Sequence, residues 1–385
     1  MITGAPGDDP FADAVVPRYD TESLGALLPG AALALGIDTG LPAVPLPSAR
    51  RVCVVIVDGL GRQLLQEEPR SAPFLASLLA DSVALTAGCP STTATSMGSF
   101  GTGLPPGRHG MVGYEVMDPG RGVLLNELKW DPAVDPLAWQ PYPTIFQTLV
   151  ARGVPVTQVG NPEFHGSGLT RAALRGGQFV GVKRLHARVD VALALLKAPG
   201  PGLVYLYWGD VDGAGHLHGW RSREWRRQVR HADRELARLA AHLGPGTLLV
   251  ITADHGMVDV PHAERLDLAD RPDLSDGIAV LGGEGRFAQA YCRPDADAAA
   301  VQVRLVDGIG DRGWVLSRDE AIAAGWFGPV DDRVRGRIGD VVVAARGCFA
   351  LVDSHTARPQ VLALIGQHGS LTGAEQQVPL LVHPG

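Results

Sequence analysis

Short, almost uniformly apolar runs recur along the chain and alternate with helical patterns. Arg51–Val57 reads RVCVVIV, and similar runs occur at 154–159, 203–207, 247–252 and 378–382. Such runs are typical of strands that are buried on both faces of a parallel sheet. Between and before them, the pattern predicts helices over 144–152, 189–197 and 223–243, and a short helix over 22–28 that Pro29 ends. We therefore expect an α/β fold, with a mainly parallel central sheet flanked by helices and active residues at the carboxyl ends of strands.

The alternation of strands and helices stops near residue 260. From there to about 340 the segments are short and rich in Gly, Asp and Arg, and 340–352 then resembles strands again. We expect residues 1–260 and 341–385 to form the catalytic core and residues 261–340 to form a smaller inserted cap. Both ends of this insertion lie near candidate site residues, so the cap is expected to face the site and to determine substrate specificity.

The composition and net charge of the chain argue against some classes of binding partner and indicate its cellular compartment. The 385 residues carry a net charge of −7, which argues against a nucleic-acid polymer as partner. No run of about 18 apolar residues and no basic leader followed by an apolar run is present, so we expect no membrane association. Four cysteines without CxxC spacing fit a reducing compartment, and we expect a cytoplasmic protein. The oligomeric state stays open.

Carboxylate and imidazole side chains follow several of the apolar runs. These residues are Asp58, the pair Asp212 and His216 at spacing i, i+4, the adjacent pair Asp254 and His255, and His368. Each one alone has an ordinary structural explanation, such as a helix cap or a hydrogen-bonded core histidine. Together they form the ligand set that Zn²⁺ and related divalent ions prefer. Glycines after Asp58, His255 and His368 let the backbone turn so that these side chains converge.

The segment 89–114 supplies a candidate nucleophile. A cluster of hydroxyl side chains precedes a Gly-rich stretch, and it consists of Ser91, Thr92, Thr93, Thr95 and Ser96. A threonine at a helix start lies in the positive end of the helix dipole, which suits attack on a phosphoryl group if a metal lowers the pKa of the hydroxyl. The alternative is a structural N-cap before a packing helix.

The order of the motifs VDG, PSTTAT, TGLPPGRHG, DGAGH, TADHGM and QHGS resembles the alkaline phosphatase superfamily, and most closely its nucleotide pyrophosphatase/phosphodiesterase branch. The resemblance covers residues 52–382 apart from the cap. It implies two divalent ions, Zn²⁺ first and Mn²⁺ as the alternative. Asp58, Thr93, Asp254 and His255 would hold one ion, and Asp212, His216 and His368 the other. It also implies that Thr93, nine residues before Thr102, is the nucleophile and forms a phosphothreonine intermediate.

The sequence departs from this branch at two positions. Ser96 and Tyr114 stand where the branch has asparagines, one of which contacts the phosphoryl oxygen. We expect Tyr114 and Trp208 to contact the substrate, and we keep His218 and His262 only as neighbours of the site.

The resemblance implies hydrolysis of phosphodiester or pyrophosphate bonds in a small, nucleotide-like phosphate ester. The alternatives are a phosphomonoesterase, a phosphonate hydrolase or a metal-dependent phosphomutase. From another class, a non-catalytic binding protein is disfavoured because every ligand position is filled.

Overall fold

The apolar runs of the sequence form the strands of a central sheet. The computed structural model describes residues 11–19, 22–80 and 82–385. In chain order, the strands are β1 (Arg51–Val57), β2 (Val83–Thr86), β3 (Glu115–Asp118), β4 (Val123–Asn126), β5 (Val156–Gly160), β6 (Gln178–Gly181), β7 (Gly202–Trp208), β8 (Thr247–Thr252), β9 (Val258–Asp259), β10 (Arg265–Asp267), β11 (Ile278–Glu284), β12 (Phe287–Cys292), β13 (Gly313–Ser317), β14 (Val341–Ala345), β15 (Ala350–Val352), β16 (Gly366–Gln367) and β17 (Gln377–Pro384).

The helices lie between and around these strands. They are α1 (Leu27–Ala34), α2 (Arg62–Glu67), α3 (Pro73–Leu79), α4 (Thr93–Thr102), α5 (Pro106–His109), α6 (Pro136–Trp139), α7 (Ile145–Ala151), α8 (Gly168–Ala173), α9 (Leu185–Leu196), α10 (Asp210–His218), α11 (Arg223–Ala241), α12 (Pro272–Ser275), α13 (Ala298–Ile309), α14 (Arg318–Ala323), α15 (Asp332–Arg335), α16 (Pro359–Leu362) and α17 (Gly373–Gln376). Short 3₁₀ helices cover Leu24–Ala26, Pro162–Phe164, His262–Glu264, Leu268–Asp270 and Gly310–Arg312.

In the described part of the chain, the central sheet has seven strands in the order β2-β17-β8-β1-β7-β5-β6. β1 pairs in parallel with β7 and β8, and β5 pairs in parallel with β6 and β7. The predicted α/β fold with a mainly parallel sheet is therefore confirmed. β17 differs, because it is antiparallel to both of its neighbours. β17 therefore begins at the edge of the sheet at which β8 ends.

Pro29 does not end a helix as the sequence analysis expected. A 3₁₀ turn over Leu24–Ala26 leads into α1, and Pro29 lies in the first turn of that helix. Proline is tolerated there because the first N–H groups of a helix have no partner within the helix. The helices predicted over 144–152, 189–197 and 223–243 are present as α7, α9 and α11 with shifted ends.

A second, antiparallel sheet has the strand order β11-β12-β14-β13. The predicted boundary at residue 340 cuts through this sheet, since β14 begins at Val341 and pairs with β12 and β13. Alternate residues of β14 pack into different cores: Val342 and Ala344 face the main core, and Val341 and Val343 face a smaller one. A strand that is buried on both faces has the same apolar pattern as a central parallel strand, which explains the misplaced boundary.

Candidate metal centre and active site

The predicted ligands meet at the carboxyl edge of the three middle strands, β8, β1 and β7. Asp58 directly follows β1, α10 after β7 carries Asp212 and His216, and Asp254 and His255 follow β8. His368 comes from the segment after β16. Ligand atoms of Asp58, Asp254 and His255 lie within 4.8 Å of one another, as do those of Asp212, His255 and His368. His255 thus lies between two groups of candidate ligands.

The remaining two predicted residues complete this cluster. His216 Nε2 lies 3.2 Å from Asp212 Oδ2, and the His216 ring centroid is 5.1 Å from that of His368. Thr93 Oγ1 lies 3.2 Å from His255 Nε2. The structure therefore brings all seven predicted residues together.

The three imidazoles share one hydrogen-bonding arrangement. In each ring Nδ1 lies within hydrogen-bond distance of a backbone carbonyl: His216 at Gly366, 2.7 Å; His255 at Gly256, 3.0 Å; and His368 at Ser91, 2.9 Å. A backbone carbonyl on Nδ1 fixes the tautomer and leaves the Nε2 lone pair for a metal. Each Nε2 lies within 4.0 Å of a carboxylate oxygen of the cluster.

The carboxylates of the cluster lack partners for several buried oxygens. Asp58 Oδ1, Asp212 Oδ1 and Asp254 Oδ2 are buried and accept no hydrogen bond from the residues that the structure describes. Burial, together with the charges of Asp254 and Asp212, raises the pKa of Asp58. Burial opposes the charged form of His216, but the neighbouring Asp212 outweighs it and raises the pKa of that imidazole to about 9. Unpaired buried carboxylates and oriented imidazoles form a donor set that fits divalent cations.

Two glycines allow the ligand segments to approach closely. Gly59 has φ +71°, and a Cβ at this position would lie 2.9 Å from Asp212 Cβ and 3.0 Å from Asp212 Oδ1. Gly256 was expected to allow a sharp turn, but the structure requires glycine there because of close packing. A Cβ at this position would lie 1.9 Å from the carbonyl oxygen of Ala374. Side chains at either position would displace the backbone or side chains that carry the ligands.

Thr93 lies at the first turn of α4 and borders a cavity of about 560 Å³. Aromatic rings form part of the wall, and Phe164 packs edge-to-face on Tyr207 with 5.7 Å between ring centroids. The Tyr207 hydroxyl donates a hydrogen bond to Asp58. Two cations also line the cavity: the exposed Lys129 and the buried Arg188, whose guanidinium donates to three backbone carbonyls. The lining of this cavity is suited to a ligand that has an apolar part for the aromatic rings and polar or charged substituents for the two cations.

The structure does not place Trp208 at this cavity. Trp208 is 5% exposed and packs in the main core, with its ring 4.9 Å from the Arg188 guanidinium carbon. Successive side chains of a strand point to opposite faces, so Tyr207 faces the cavity and Trp208 does not. The run LVYLYW is apolar at nearly every position. The sequence therefore shows no alternation of polar and apolar residues that would tell which of the two side chains faces the cavity.

Tyr114 lines a different cavity of about 260 Å³, and its hydroxyl accepts a hydrogen bond of 2.8 Å from Arg358. Glu284 of β11 borders the same cavity, and sequence analysis missed this residue. Burial raises the pKa of Glu284 to about 8. His218 and His262 are exposed and lie outside the ligand cluster.

Comparison with known proteins supports the resemblance drawn from the motifs. The sequence model of the family "Type I phosphodiesterase / nucleotide pyrophosphatase" matches residues 52–371. Human ectonucleotide pyrophosphatase/phosphodiesterase family member 7 is 33% identical over 108 residues, which cover 26% of this chain and 24% of that protein. A phosphopentomutase of Anaeromyxobacter dehalogenans is 37% identical over 120 residues, or 30% and 28% of the two chains. The chain thus aligns with only about a quarter of the length of these curated relatives.

Solved structures share the fold over most of the chain. Murine ectonucleotide pyrophosphatase/phosphodiesterase 5 superposes with a TM-score of 0.68 at 19% identity, covering 86% of this chain and 87% of its own. Phosphonoacetate hydrolase from Sinorhizobium meliloti, in complex with phosphonoacetate, gives 0.67 at 22% identity, covering 88% and 91%. The family match extends over most of the chain and includes every predicted ligand. This chain belongs to the type I phosphodiesterase / nucleotide pyrophosphatase family.

Proposed function

We propose that this protein is a phosphoryl-transfer hydrolase that cleaves phosphodiester or pyrophosphate bonds in small, nucleotide-like substrates. The arrangement of the three imidazoles carries the proposal. Each holds a backbone carbonyl at Nδ1 and directs Nε2 at a carboxylate, beside a threonine hydroxyl at a helix start. Murine ectonucleotide pyrophosphatase/phosphodiesterase 5 has been solved as an inactive variant with AMP, which supports a nucleotide-like substrate.

Two divalent cations, Zn²⁺ before Mn²⁺, are the proposed cofactors. Asp58, Thr93, Asp254 and His255 would hold one ion, and Asp212, His216 and His368 would hold the other. Bound there, such ions lower the pKa of the threonine hydroxyl and neutralise charge on the phosphoryl group.

The chain's own residues then position two displacements. Thr93 Oγ1 loses its proton to solvent and attacks phosphorus, the bond to the leaving oxygen breaks, and that oxygen takes a proton from water. Water next attacks the phosphothreonine, the Thr93–phosphorus bond breaks, and the hydroxyl takes back a proton. Thr93 is the first residue of α4, and the free N–H groups of a helix start favour the negative charge that develops there.

The cavity beside Thr93 supports the preference for a diester. A phosphodiester carries a second organic substituent, which needs a surface to pack against. The aromatic side chains of Phe164 and Tyr207 provide such a surface in this cavity. Phe164→Ala should raise KM for a nucleoside diester severalfold and leave KM for a small methyl ester within twofold. Equal changes for both esters would refute this assignment of the cavity.

A second candidate is hydrolysis of a phosphonate or monoester with an additional anionic group. Lys129, which lines the cavity, favours it, as does the fold shared with phosphonoacetate hydrolase. The discriminating experiment compares kcat/KM on bis-(p-nitrophenyl) phosphate, p-nitrophenyl phosphate and phosphonoacetate. The diester proposal expects at least a tenfold advantage for the first. A tenfold advantage for either of the others would overturn it, and conversion of a sugar phosphate to its isomer without hydrolysis would indicate a mutase.

Metal analysis tests the ligand assignment separately. Asp254→Ala and His368→Ala should remove most of the bound metal and most of the activity. The matched control is His262→Ala, because His262 is exposed and lies outside the cluster. Normal metal content in both ligand variants would contradict the assignment.

A further inference from the structure

The cavity that Tyr114, Glu284 and Arg358 border is separate from the cavity beside Thr93. Among the described residues, none lines both. The cavity beside Thr93 lies along β5 and β7, while this second cavity, of about 260 Å³, is lined mainly from β11, β15 and α16. The site therefore has room for two groups in two different places.

The second cavity lies against the segments that carry His368 and Thr93. Glu284 packs on Gly369, the residue after His368, because a Cβ at Gly369 would lie 2.8 Å from Glu284 Cγ. The Gly369 carbonyl accepts a hydrogen bond of 2.9 Å from the N–H of Ser91, two residues before Thr93. Both cavities thus border segments that carry residues of the candidate metal centre.

The second cavity offers donors and acceptors of hydrogen bonds beside an apolar surface. Arg358 donates to the Tyr114 hydroxyl at 2.8 Å and lies 3.7 Å from Glu115. Its side chain is 41% exposed, and a guanidinium has several N–H groups, so some remain for a ligand. Glu284 Oε1 is buried and accepts no hydrogen bond from the described residues. The apolar part of the lining consists of Leu124, Leu281, Leu351, Val361 and Leu362.

This lining suits an uncharged group that carries hydroxyls. It holds the carboxyl groups of Glu115, Glu284 and Asp353 against one guanidinium among the described residues, so a second phosphate would meet unfavourable charge. An ammonium group has no acceptor for Arg358, and a purely apolar group would bond neither Arg358 nor Glu284. A hydroxyl both donates and accepts, so it can bond Arg358 and either protonation state of Glu284.

We propose that the second cavity binds the leaving group of the diester, and that this leaving group is a hydroxylated alcohol of the glycerol or sugar class. The inference rests on the proposed function, since a diester has two organic substituents and Phe164 and Tyr207 receive the other one. When Thr93 Oγ1 attacks, the bond between phosphorus and the alcohol oxygen breaks, and that oxygen takes a proton from water.

The experiment compares matched esters of adenosine 5′-phosphate by calorimetry. One pair has glycerol and propanol as the alcohol, and the other has glucose, joined through its primary hydroxyl, and cyclohexylmethanol. The protein is metal-loaded Thr93→Ala, which prevents turnover. In at least one pair the hydroxylated ester should bind about tenfold more tightly, and the pair that shows it identifies the class of alcohol. A ratio below about threefold in both pairs would overturn the inference.

Two variants test whether the preference arises in the second cavity. Arg358→Met should reduce the binding ratio to about one, and its exposed side chain makes unfolding no concern. Arg152→Met is the matched control and should keep the ratio, because Arg152 is exposed and lines neither cavity. Leu281→Trp fills the cavity and should weaken binding of the hydroxylated ester about tenfold relative to the methyl ester. Unchanged ratios in Arg358→Met and Leu281→Trp would refute the assignment.

These binding ratios separate the inference from the proposed function. If the wild-type protein hydrolyses none of the esters but the ratios follow the expected pattern, the proposed function fails while the binding site stands. If the esters are hydrolysed but both pairs bind equally, the inference fails while the proposed function stands.

Discussion

The variant Gly59→Ala tests whether metal binding depends on the close approach of the segment that carries Asp58 to Asp212. Alanine at φ +71° costs about 1–2 kcal/mol of backbone strain. The new Cβ would also lie 2.9 Å from Asp212 Cβ, so Asp212 must move about half an ångström to reach the 3.4 Å of ordinary contact. A displacement of this size in a ligand predicts a loss of about tenfold to a hundredfold in metal affinity and kcat/KM.

Gly40→Ala is a matched control for the backbone strain. Gly40 also has φ +71°, but a Cβ there would have no heavy atom of residues 11–19, 22–80 or 82–385 within 4 Å. For a chain of this length, the unfolding entropy is about 0.8 kcal/mol per kelvin, so the strain alone lowers Tm by about 1–3 °C in both variants. The assay is zinc titration against a chelating dye, followed by kcat/KM and thermal melting. If the two variants lose the same Tm and both keep wild-type metal affinity and activity, the contact with Asp212 does not control the site.

Two further predictions address the nucleophile and a buried acid. Thr93→Ala should abolish turnover and keep most of the bound metal, while Thr95→Val should keep measurable activity. Both variants are checked by the release of nitrophenol and by metal analysis. Turnover by Thr93→Ala would exclude Thr93 as the nucleophile. Burial raises the pKa of Glu127 from 4.5 to about 8, so its contribution to stability is present below pH 4.5 and is lost as the pH rises through 8. Glu127→Gln should therefore raise the free energy of unfolding at pH 9 by at most about 5 kcal/mol and have little effect at pH 4. Urea unfolding at the two pH values measures this difference. Equal effects at both pH values would contradict the shifted pKa of Glu127.

The ligand set was predictable because chemistry and topology coincide at these positions. Asp58 and Asp254 each follow an apolar run that is typical of a buried strand, and the carboxyl ends of neighbouring parallel strands meet at one edge. The residues that shape the pocket were harder to predict. Tyr207 and Trp208 are adjacent in a uniformly apolar run, so no alternation of polar and apolar positions shows which of them faces the cavity.

Glu284 shows what sequence spacing cannot reveal about this site. It lies in a stretch of short Gly-rich segments, and nothing in LGGEGRF marks it as a neighbour of the segment that carries His368. Its place depends on the β11–β12 hairpin and on the Arg286–Glu375 ion pair, and the ion pair joins residues that lie 89 positions apart in the chain. The second sheet is therefore part of the construction of the active site, because one of its strands ends against Gly369, the residue after His368. Changes in that sheet should affect the position of His368 as well as the choice of substrate, and the metal content and substrate preference of variants of the β11–β12 turn would separate the two effects.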